Sequence, residues 1–295
     1  MLMFALLLSA LISTPMAQQE IHFKIRNQPV QDELLTLYET SPATKIGFGG
    51  ARGGTKSHSA DDLMIFRRMT YKKTSGLFIM KTLDDIKDIH IRPMIQRFPI
   101  LDSWHNKSDK LITFPNGSFF RYLSFDNFVE LKKRSGRGFS DIIVDQSEQF
   151  PQEELEFLAT INRHVPVEGD APDSDPGPTI VPKMLFCFNP GGISHSYHKR
   201  IFVEKAYEFN EDPKDYAFLQ TFGWDNAYWC LQALKEDGLK IGDFNHWPDK
   251  QRFDYFVTRS QYGKKLNQLP DSQRQAQLLG SFDVFEGQFF SNFRR

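Results

Sequence analysis

The glycine-rich segment GGARGGTKS, residues 49–57, constrains the fold of this chain more than any other feature. It follows residues 45–48, a short apolar stretch typical of a buried strand, and leads into residues 57–70, whose apolar side chains recur at helical spacing. A glycine loop between a strand and a helix is the setting that a phosphate-binding loop requires. Glycines let backbone N–H groups turn inward around phosphate oxygens, and the start of the helix adds its positive end.

The side chains of this loop suit phosphate chemistry, and ATP with Mg²⁺ is the predicted ligand. We expect the Lys56 ammonium to reach the terminal phosphates and the Ser57 hydroxyl to bind Mg²⁺. Thr55 departs from the usual motif, which has a glycine there, and would strain the loop by about 1–3 kcal/mol if that glycine's φ is needed. The alternative is a glycine-rich turn with an unrelated lysine. The residues predicted to bind nucleotide are Gly50, Gly53, Gly54, Thr55, Lys56 and Ser57.

A second apolar segment supplies the acid that such a site needs. Residues 141–145, DIIVD, indicate a strand with Asp145 at its tip, where a carboxylate can hold Mg²⁺ through water. Hydrolytic ATPases of this class usually carry a glutamate next, and this chain has Gln146. A neutral amide cannot accept a proton from water, so losing the base would cost a factor of about 10²–10⁴ in rate. Glu148 is a candidate replacement, and the alternative for it is a solvated surface acid.

A third candidate site residue lies at the end of the last predicted strand, residues 184–188. Asn189 follows that strand, within the sequence NPGG. An amide at a strand tip can contact the γ-phosphate or its water and report hydrolysis. Taken without the other motifs, this segment is only a turn.

Predicted strands and helices alternate along the first two thirds of the chain. This alternation predicts an α/β fold with a mainly parallel sheet flanked by helices. After about residue 200 the pattern changes to helices and aromatic-rich connections, so we predict an ATPase core over residues 21–200 and a linker or lid subdomain over residues 201–295. Further strands are predicted at residues 76–80, 110–114, 118–123 and 139–145. Helices are predicted at residues 83–91 and 153–163, and Pro93 is expected to end or bend the first of them.

Composition excludes several classes of protein. Lysine and arginine total 36 and the acids total 37, so the net charge of −1 excludes a polybasic DNA-coating protein. It does not exclude a protein that confines its basic residues to one face. Cys187 and Cys230 fit no disulfide or zinc spacing and favour a reduced, intracellular compartment. Phenylalanine, 28 of 295 residues, predicts an aromatic-rich core.

Residues 1–20 stand apart as an apolar extension. Residues 2–12, LMFALLLSALI, can be a secretory signal, an apolar helix packed on the body, or an upstream extension with the true start near Met16. A signal is disfavoured because no Lys or Arg precedes the stretch and the residues around Pro15 make a poor cleavage site. At roughly 11 residues the stretch is too short to span a bilayer, and no membrane partner is expected.

Seven segments, taken in order between about residues 21 and 293, make a specific set. They are FKIRNQPVQ, GGARGGTKS, GLFIMKTLDDI, FPNGSFFRY, DIIVDQSEQFP, CFNPGGISHSYHKRIF and QLLGSFDVFEGQFFSNF. The ordered set, and the last segment above all, resembles the ATPase half of the large terminase subunit of tailed phages, the DNA-packaging motor. The resemblance implies an ASCE/RecA-like P-loop NTPase that couples ATP hydrolysis to the movement of double-stranded DNA into a procapsid.

The resemblance also implies roles and partners. It implies that Gln31 reads adenine, with Gln28 as the rival, and that Arg52 stabilises the transferring phosphate, unless it only braces the loop. The implied partners are a portal protein, a small terminase subunit and further copies of the chain in a ring, all in the host cytoplasm. Family members continue into a nuclease similar to RNase H, whereas this chain stops at Arg295, so no nuclease activity is expected of it.

A second functional hypothesis follows from the two departures. Thr55 and Gln146 favour a non-hydrolysing or degenerate nucleotide-binding fragment of a terminase.

Overall fold

The computed structural model describes residues 7–12, 19–25, 27–124, 138–164 and 180–284. Its first two elements are antiparallel strands. These strands are β1 (Leu7–Ile12) and β2 (Gln19–Lys24), and they pair with each other in a separate hairpin. Residues 7–12 are therefore extended, and the interpretation of this stretch as an apolar helix is wrong. The backbone groups of β1 are satisfied by pairing with β2, not within a helical turn.

An eight-stranded sheet follows and organises the rest of the described chain. Its order is β10-β3-β9-β8-β4-β7-β6-β5, and all neighbours from β10 to β7 are parallel, whereas β7, β6 and β5 pair antiparallel. The predicted α/β fold with a mainly parallel sheet is confirmed. The strands are β3 (Lys45–Gly50), β4 (Ser75–Met80), β5 (His105–Asn106), β6 (Leu111–Thr113), β7 (Phe119–Ser124), β8 (Asp141–Asp145), β9 (Lys183–Phe188) and β10 (Tyr216–Thr221).

Helices connect the strands and cover both faces of the sheet. Those among the first two thirds of the chain are α1 (Pro29–Thr40), α2 (Lys56–Thr70), α3 (Leu83–Ile86), α4 (Arg92–Arg97), α5 (Ile100–Ser103) and α6 (Gln152–Ile161). The later ones are α7 (His195–His198), α8 (Leu231–Glu236), α9 (Ile241–Asn245), α10 (Asp249–Arg259), α11 (Gln261–Asn267) and α12 (Asp271–Gln277). In the part of the chain that the structure describes, no helix combines the length and apolarity needed to cross a bilayer.

The central strands are buried on both faces, because successive side chains of a strand point to opposite sides of the sheet. On β8, Ile143 packs with α1 and α2, whereas Ile142 and Val144 pack with α6. Phenylalanine fills much of both layers, and full burial of one such ring stabilises a fold by about 1.5–3 kcal/mol. The predicted aromatic-rich core is confirmed by the fully buried rings of Phe23, Phe48, Phe78, Phe114, Phe120, Phe150, Phe186, Phe188 and Phe202.

Strand β10 shows that residues 184–188 are not the last strand, contrary to the expectation from sequence. β10 pairs parallel with β3 in the register Tyr216 to Lys45, and it lies at the edge of the sheet. Most of its residues are only half-buried, so β10 lacks the continuous apolar run that identifies the central strands. A strand from beyond residue 200 thus completes the sheet, and the division of the chain at that residue stays a prediction.

Two local predictions have different outcomes. The hairpin around residues 115–117 is confirmed, with Gly117 at φ 81° and a Phe114 N–H bond to the Ser118 carbonyl at 2.8 Å. The helix predicted over 83–91 does not end at Pro93. The chain forms a π turn at Lys87–Ile91 and then α4, whose first turn contains Pro93. The three helical segments follow one another without a break, and Pro93, which has no N–H to donate to the preceding turn, lies directly after the π turn, where the regular helical bonding changes.

Residues 222–279 form a third, smaller core beside the sheet. It contains Trp224, Cys230, Phe244, Phe256 and Leu278, and it is built from short helices, as predicted for the region after residue 200. The closing segment of the resemblance extends into residues 285–295, which lie outside the described residues.

Candidate functional site

The glycine loop lies between β3 and α2, as the sequence predicts, and its backbone is strained at one non-glycine residue. Thr55 has φ 67° and ψ 1°, which is the left-handed conformation that a glycine would adopt at no steric cost. The condition under which Thr55 would strain the loop, a φ typical of glycine, is therefore met. The Thr55 hydroxyl lies 3.1 Å from the hydroxyl of Ser59, one helical turn later.

Lys56 is the first residue of α2, and its ammonium is buried within the loop. Its Nζ donates a 2.6 Å hydrogen bond to the carbonyl oxygen of Ala51, so the side chain curls back across the loop. Burial lowers the pKa of Lys56, and the negative charges of Glu148 and Asp145 oppose that effect. A cation held in this position faces the cavity in which phosphate would lie.

Ser57 and Asp145 join the loop to the tip of β8. The Ser57 hydroxyl donates a 2.6 Å hydrogen bond to Oδ2 of Asp145, and the Gln146 N–H donates to Oδ1 at 2.9 Å. Burial alone would raise the pKa of Asp145, but the hydrogen bonds from His90, Ser57 and the Gln146 backbone lower it. The carboxylate is therefore held ionised beside a hydroxyl.

These oxygens fit Mg²⁺. Magnesium binds proteins through one or two carboxylates and hydroxyls, with phosphate oxygens and water completing its octahedron. Ser57 and Asp145 supply one hydroxyl and one ionised carboxylate, on the side of the cavity that Lys56 lines. No cluster of three or more His, Cys, Asp or Glu side chains suited to a metal occurs among the described residues.

Gln146 and Glu148 follow Asp145 in a tight turn. Gln146 adopts φ 54°, and its side-chain oxygen accepts a 2.5 Å hydrogen bond from Gln149. Glu148 is half-buried, and its Oε2 atom is buried with no hydrogen-bond partner in the described part of the chain. Burial raises the pKa of Glu148 to about 7, with a further contribution from Asp145. The alternative of a solvated surface acid is therefore wrong for Glu148.

Asn189 stands at the end of β9 and connects to the same carboxylate. Its Nδ2 donates to Oε1 of Glu148 at 3.4 Å, and its Oδ1 is buried without a partner among the residues described. Asn189 also lines the cavity beside the glycine loop. This cavity brings together the predicted residues Arg52, Gly53, Gly54, Thr55, Lys56, Ser57, Asp145, Gln146 and Asn189. The predicted residues Gly50 and Glu148 do not line it, and Glu148 lies behind Asn189, to which it is bonded.

The predicted adenine reader lies elsewhere. Gln31 lines a neighbouring cavity with Ser59 and Asp62 of α2, and its Oε1 accepts a 2.8 Å hydrogen bond from the Gln28 N–H at the start of α1. Its Nε2 is buried with no partner in the described ranges. The rival, Gln28, accepts a 3.2 Å hydrogen bond from Asn245 of α9. The structure therefore brings neither glutamine into the cavity beside the glycine loop.

The C-terminal core contacts the loop from outside, which sequence reasoning missed. Trp229 donates from its indole nitrogen to the Gly53 carbonyl at 2.9 Å, and the Thr221 hydroxyl donates to the Gly54 carbonyl at 2.7 Å. Gly50 leaves no space for a side chain, because a Cβ there would lie 2.3 Å from the Thr221 oxygen. The side chain of Arg52 is exposed at the mouth of the cavity, and its backbone N–H is bonded to Gln277.

A buried histidine is the other feature that no motif indicated. His90 lies in the π turn after α3 and contacts Asp145 on one side and Asp61 of α2 on the other. His90 and Asp61 belong to no sequence pattern that marks a site, and Asp145, which does, lies 55 positions from His90. Only their separate positions on β8, α2 and the π turn bring them together.

The fold is similar to that of solved phage terminases. The large terminase from a thermophilic bacteriophage, in complex with ATP-gamma-S, matches with a TM-score of 0.54 at 14% identity, over 86% of this chain and 52% of that chain. The HK97 bacteriophage large terminase matches with a TM-score of 0.51 at 13% identity, over 92% of this chain and 53% of that one. The chain thus spans about half the length of these structures, and no curated protein matches it.

Family membership rests on a separate match. The family described as phage terminase large subunit matches residues 43–250, which include the glycine loop, the tip of β8 and the end of β9. This range is well over half of the chain, and it contains all the site residues that meet at the cavity. The chain belongs to the phage terminase large subunit family.

Proposed function

We propose that this chain is the ATPase motor of a terminase, which couples ATP hydrolysis to the movement of double-stranded DNA into a procapsid. The observation that carries the proposal is the 2.6 Å hydrogen bond between Ser57 and Asp145 beside the buried ammonium of Lys56. A hydroxyl, an ionised carboxylate and a cation around one glycine loop are the groups that phosphoryl transfer from ATP requires. Their convergence from β3, α2 and β8 makes this cavity the centre of the proposed reaction.

Binding of ATP divides among the loop residues. The backbone N–H groups of the loop, at Gly50, Gly53, Gly54 and Thr55, surround the phosphates, and Lys56 leaves the Ala51 carbonyl to pair with them. Arg52 adds a second cation at the mouth of the cavity. Ser57 and Asp145 would hold Mg²⁺, whose charge offsets the charge of the phosphate oxygens when it is bound.

Glu148 serves as the base in this proposal, and Gln146 orients the water. A buried carboxyl with a pKa of about 7 can accept a proton near neutral pH, whereas the amide of Gln146 cannot. Asn189 donates a hydrogen bond to Glu148. Through this bond, loss of the γ-phosphate would alter the position of Asn189 at the end of β9. The contacts of Thr221 and Trp229 with the loop supply the path to the region after residue 200.

The wider assembly is also a proposal. The portal protein, the small terminase subunit and a ring of identical subunits are the partners that the family resemblance implies, in the host cytoplasm. Gln31 remains the proposed adenine reader on the family resemblance; its amide nitrogen is buried with no partner within the described ranges, and it lines the cavity beside α2, not the one at the glycine loop. The proposed division is an ATPase core over residues 21–200 and a linker or lid subdomain beyond.

The experiment that tests this function measures ATP turnover with and without duplex DNA. The chain is compared with Lys56→Ala, which removes the loop cation and leaves the sheet intact. Turnover that depends on Lys56 and rises with DNA supports the motor. Equal rates in both proteins would contradict it.

A second candidate is a nucleotide-binding module that does not hydrolyse ATP. Gln146 favours this candidate, because its neutral amide lines the cavity at the position where hydrolytic ATPases of this class usually carry a glutamate. In that case ATP binds without turnover, and Gln146→Glu creates turnover that the original chain lacks. Turnover by the original chain excludes this candidate.

A further inference from the structure

His90 is completely buried between two carboxylates, next to the proposed magnesium site. Its Nδ1 lies 2.6 Å from Oδ1 of Asp61, and its Nε2 lies 3.0 Å from Oδ2 of Asp145. The ring packs against Phe78, with 4.3 Å between the ring centroids, and has no exposed surface. A buried side chain in this position has its orientation determined by its partners alone.

Each ring nitrogen of His90 faces a carboxylate oxygen. Because a carboxylate accepts hydrogen bonds, Nε2 can donate to Asp145 and Nδ1 can donate to Asp61. The ring is therefore placed to link the tip of β8 to α2.

Asp61 is itself tied in place, so the histidine has a fixed anchor. Arg97 of α4 lies 3.4 Å from Asp61 and 2.7 Å from Asp62. Asp61 also lies one helical turn after Ser57 on α2, so the two side chains share a face of that helix. Ser57 contacts Asp145, Asp145 contacts His90, and His90 contacts Asp61. Because Ser57 and Asp61 both belong to α2, these contacts form a closed ring.

This closed ring of contacts limits the Asp145 carboxylate on both oxygens. Oδ2 accepts from Ser57 and His90, and Oδ1 accepts from the Gln146 backbone. Without His90, Asp145 would keep its hydrogen bonds with Ser57 and the Gln146 backbone but lose the contact that ties it to α2 through Asp61. Its Oδ2 atom would then have one hydrogen-bond partner instead of two.

We propose that His90 is a positioning residue, which holds Asp145 in the orientation that binds Mg²⁺ together with Ser57. This inference rests on the proposed function, because it needs Asp145 to act on a metal–nucleotide complex. Residues that orient metal ligands in this way typically contribute about 10–100-fold to metal affinity or activity. His90 itself touches neither metal nor nucleotide.

Two substitutions separate positioning from simple packing. The amide nitrogen of glutamine reaches about as far as Nε2 of histidine, and that of asparagine about as far as Nδ1. His90→Gln can therefore keep a donor to Asp145 and lose the one to Asp61, whereas His90→Asn does the reverse. Both variants are neutral, smaller than histidine and equally able to leave a gap beside Phe78.

The experiment measures the binding of ATPγS at equilibrium, in EDTA and over a series of Mg²⁺ concentrations. We expect His90→Asn to raise the Mg²⁺ concentration that gives half-maximal tightening by about 10-fold or more, with affinity in EDTA unchanged. His90→Gln should stay closer to the original chain. His198→Gln is the matched control, because His198 is equally buried but bonds the neutral hydroxyls of Ser147 and Ser194. It should lower stability and leave the Mg²⁺ dependence unchanged.

A second variant keeps the inference testable if His90→Asn does not fold. Asp61→Asn weakens the hydrogen bond that anchors His90 to α2, and it should shift the Mg²⁺ dependence in the same direction. An unchanged Mg²⁺ dependence in a folded His90→Asn or Asp61→Asn protein overturns the positioning role. Equal losses in EDTA and in Mg²⁺ also overturn it, because a damaged pocket behaves that way. If the unaltered chain binds ATPγS no better with Mg²⁺, the proposed function itself fails, and the inference with it.

Discussion

The indole N–H of Trp229 donates a 2.9 Å hydrogen bond to the carbonyl oxygen of Gly53, at the centre of the glycine loop. The same indole packs against Tyr262 of α11, with 4.3 Å between the ring centroids and 31° between the ring planes. A Cβ at Gly53 would meet both rings, at 2.7 and 2.8 Å. The C-terminal core is thus in direct contact with the loop that would bind phosphate, and movement of either must alter the other.

The first prediction concerns that contact. Trp229→Phe keeps an aromatic ring against Tyr262 and removes the N–H donor, so it should lower the free energy of unfolding by about 0.5–1.5 kcal/mol. It should also weaken ATPγS binding several-fold, because the glycine loop loses the hydrogen bond that holds its Gly53 carbonyl in place. Trp247→Phe is the control, since Trp247 packs on Phe244 and Tyr255. Equal effects of the two substitutions on ATPγS binding would contradict the role given to Trp229.

Thr55 provides a test of backbone strain. A non-glycine residue in the left-handed conformation costs about 1–2 kcal/mol, and the freedom of glycine in the unfolded chain offsets about 0.4–1 kcal/mol of any gain. Thr55→Gly should therefore raise the free energy of unfolding slightly, by up to about 1 kcal/mol. The measurement is urea unfolding at equilibrium.

The control for Thr55 is the same substitution in an ordinary helix. Thr36 is exposed within α1 and bonds the Asp32 carbonyl at 2.8 Å. Thr36→Gly should lower the free energy of unfolding by about 0.3–0.5 kcal/mol, because glycine has a lower helix propensity than threonine. Effects of the same sign at the two positions would show that the φ of Thr55 carries no strain.

The glycine loop and its strand and helix could be predicted because their signals are local. Residues 45–70 contain a buried strand, a set of glycines and an amphipathic helix in direct succession, and each pattern depends only on neighbours in sequence. The same holds for the hairpin at residues 115–117, where turn residues lie between two apolar runs. Asp145 could be placed because it ends a continuous apolar strand.

The missed features depend on residues that are distant in sequence. β10 is an edge strand, and only its pairing with β3, which lies far upstream, identifies it. His90 meets Asp61 and Asp145 across 29 and 55 positions, and no local pattern marks any of these contacts. The burial of Glu148 depends on how the turn after β8 packs, which hydropathy does not reveal for a charged residue.

Glu148 provides the next prediction. If it accepts the proton of the attacking water, Glu148→Gln should lower kcat by a factor of about 10²–10⁴. Gln146→Ala should have a smaller effect, since Gln146 only orients water. The measurement is steady-state ATP turnover, with ATPγS affinity as the check that both variants still bind nucleotide. Comparable losses in the two variants would remove the distinction between base and orienting residue.

The pH dependence of turnover tests the same assignment. A base works only when it has lost its own proton, and burial raises the pKa of Glu148 to about 7. Turnover should therefore be low in mild acid and rise with pH, with a midpoint near 7. The residual activity of Glu148→Gln should lack this rise. A profile of the same shape in both proteins would assign the titration to another group.

The last prediction concerns stability and uses His198, a buried histidine on the other face of the sheet. Its ring stacks on Phe188 at 4.2 Å, and both nitrogens bond serine hydroxyls, so the folded state favours the neutral form. Burial lowers the pKa of His198 from 6.5 to about 3, with a further contribution from His195. Above pH 6.5 the His198 ring is neutral in both the folded and the unfolded chain, so it causes no loss of stability there.

Below that pH only the unfolded chain takes up the proton, so stability falls by up to about 1.4 kcal/mol for each unit of pH. His198→Gln removes this proton and should flatten the slope between about pH 6.5 and pH 5, in urea unfolding series at fixed temperature. The exposed His246→Gln is the control and should leave the slope as it is. A slope that His198→Gln does not change would mean that the folded chain takes up a proton at this site as readily as the unfolded chain does. The neutral, serine-bonded ring would then not be what makes the fold sensitive to acid.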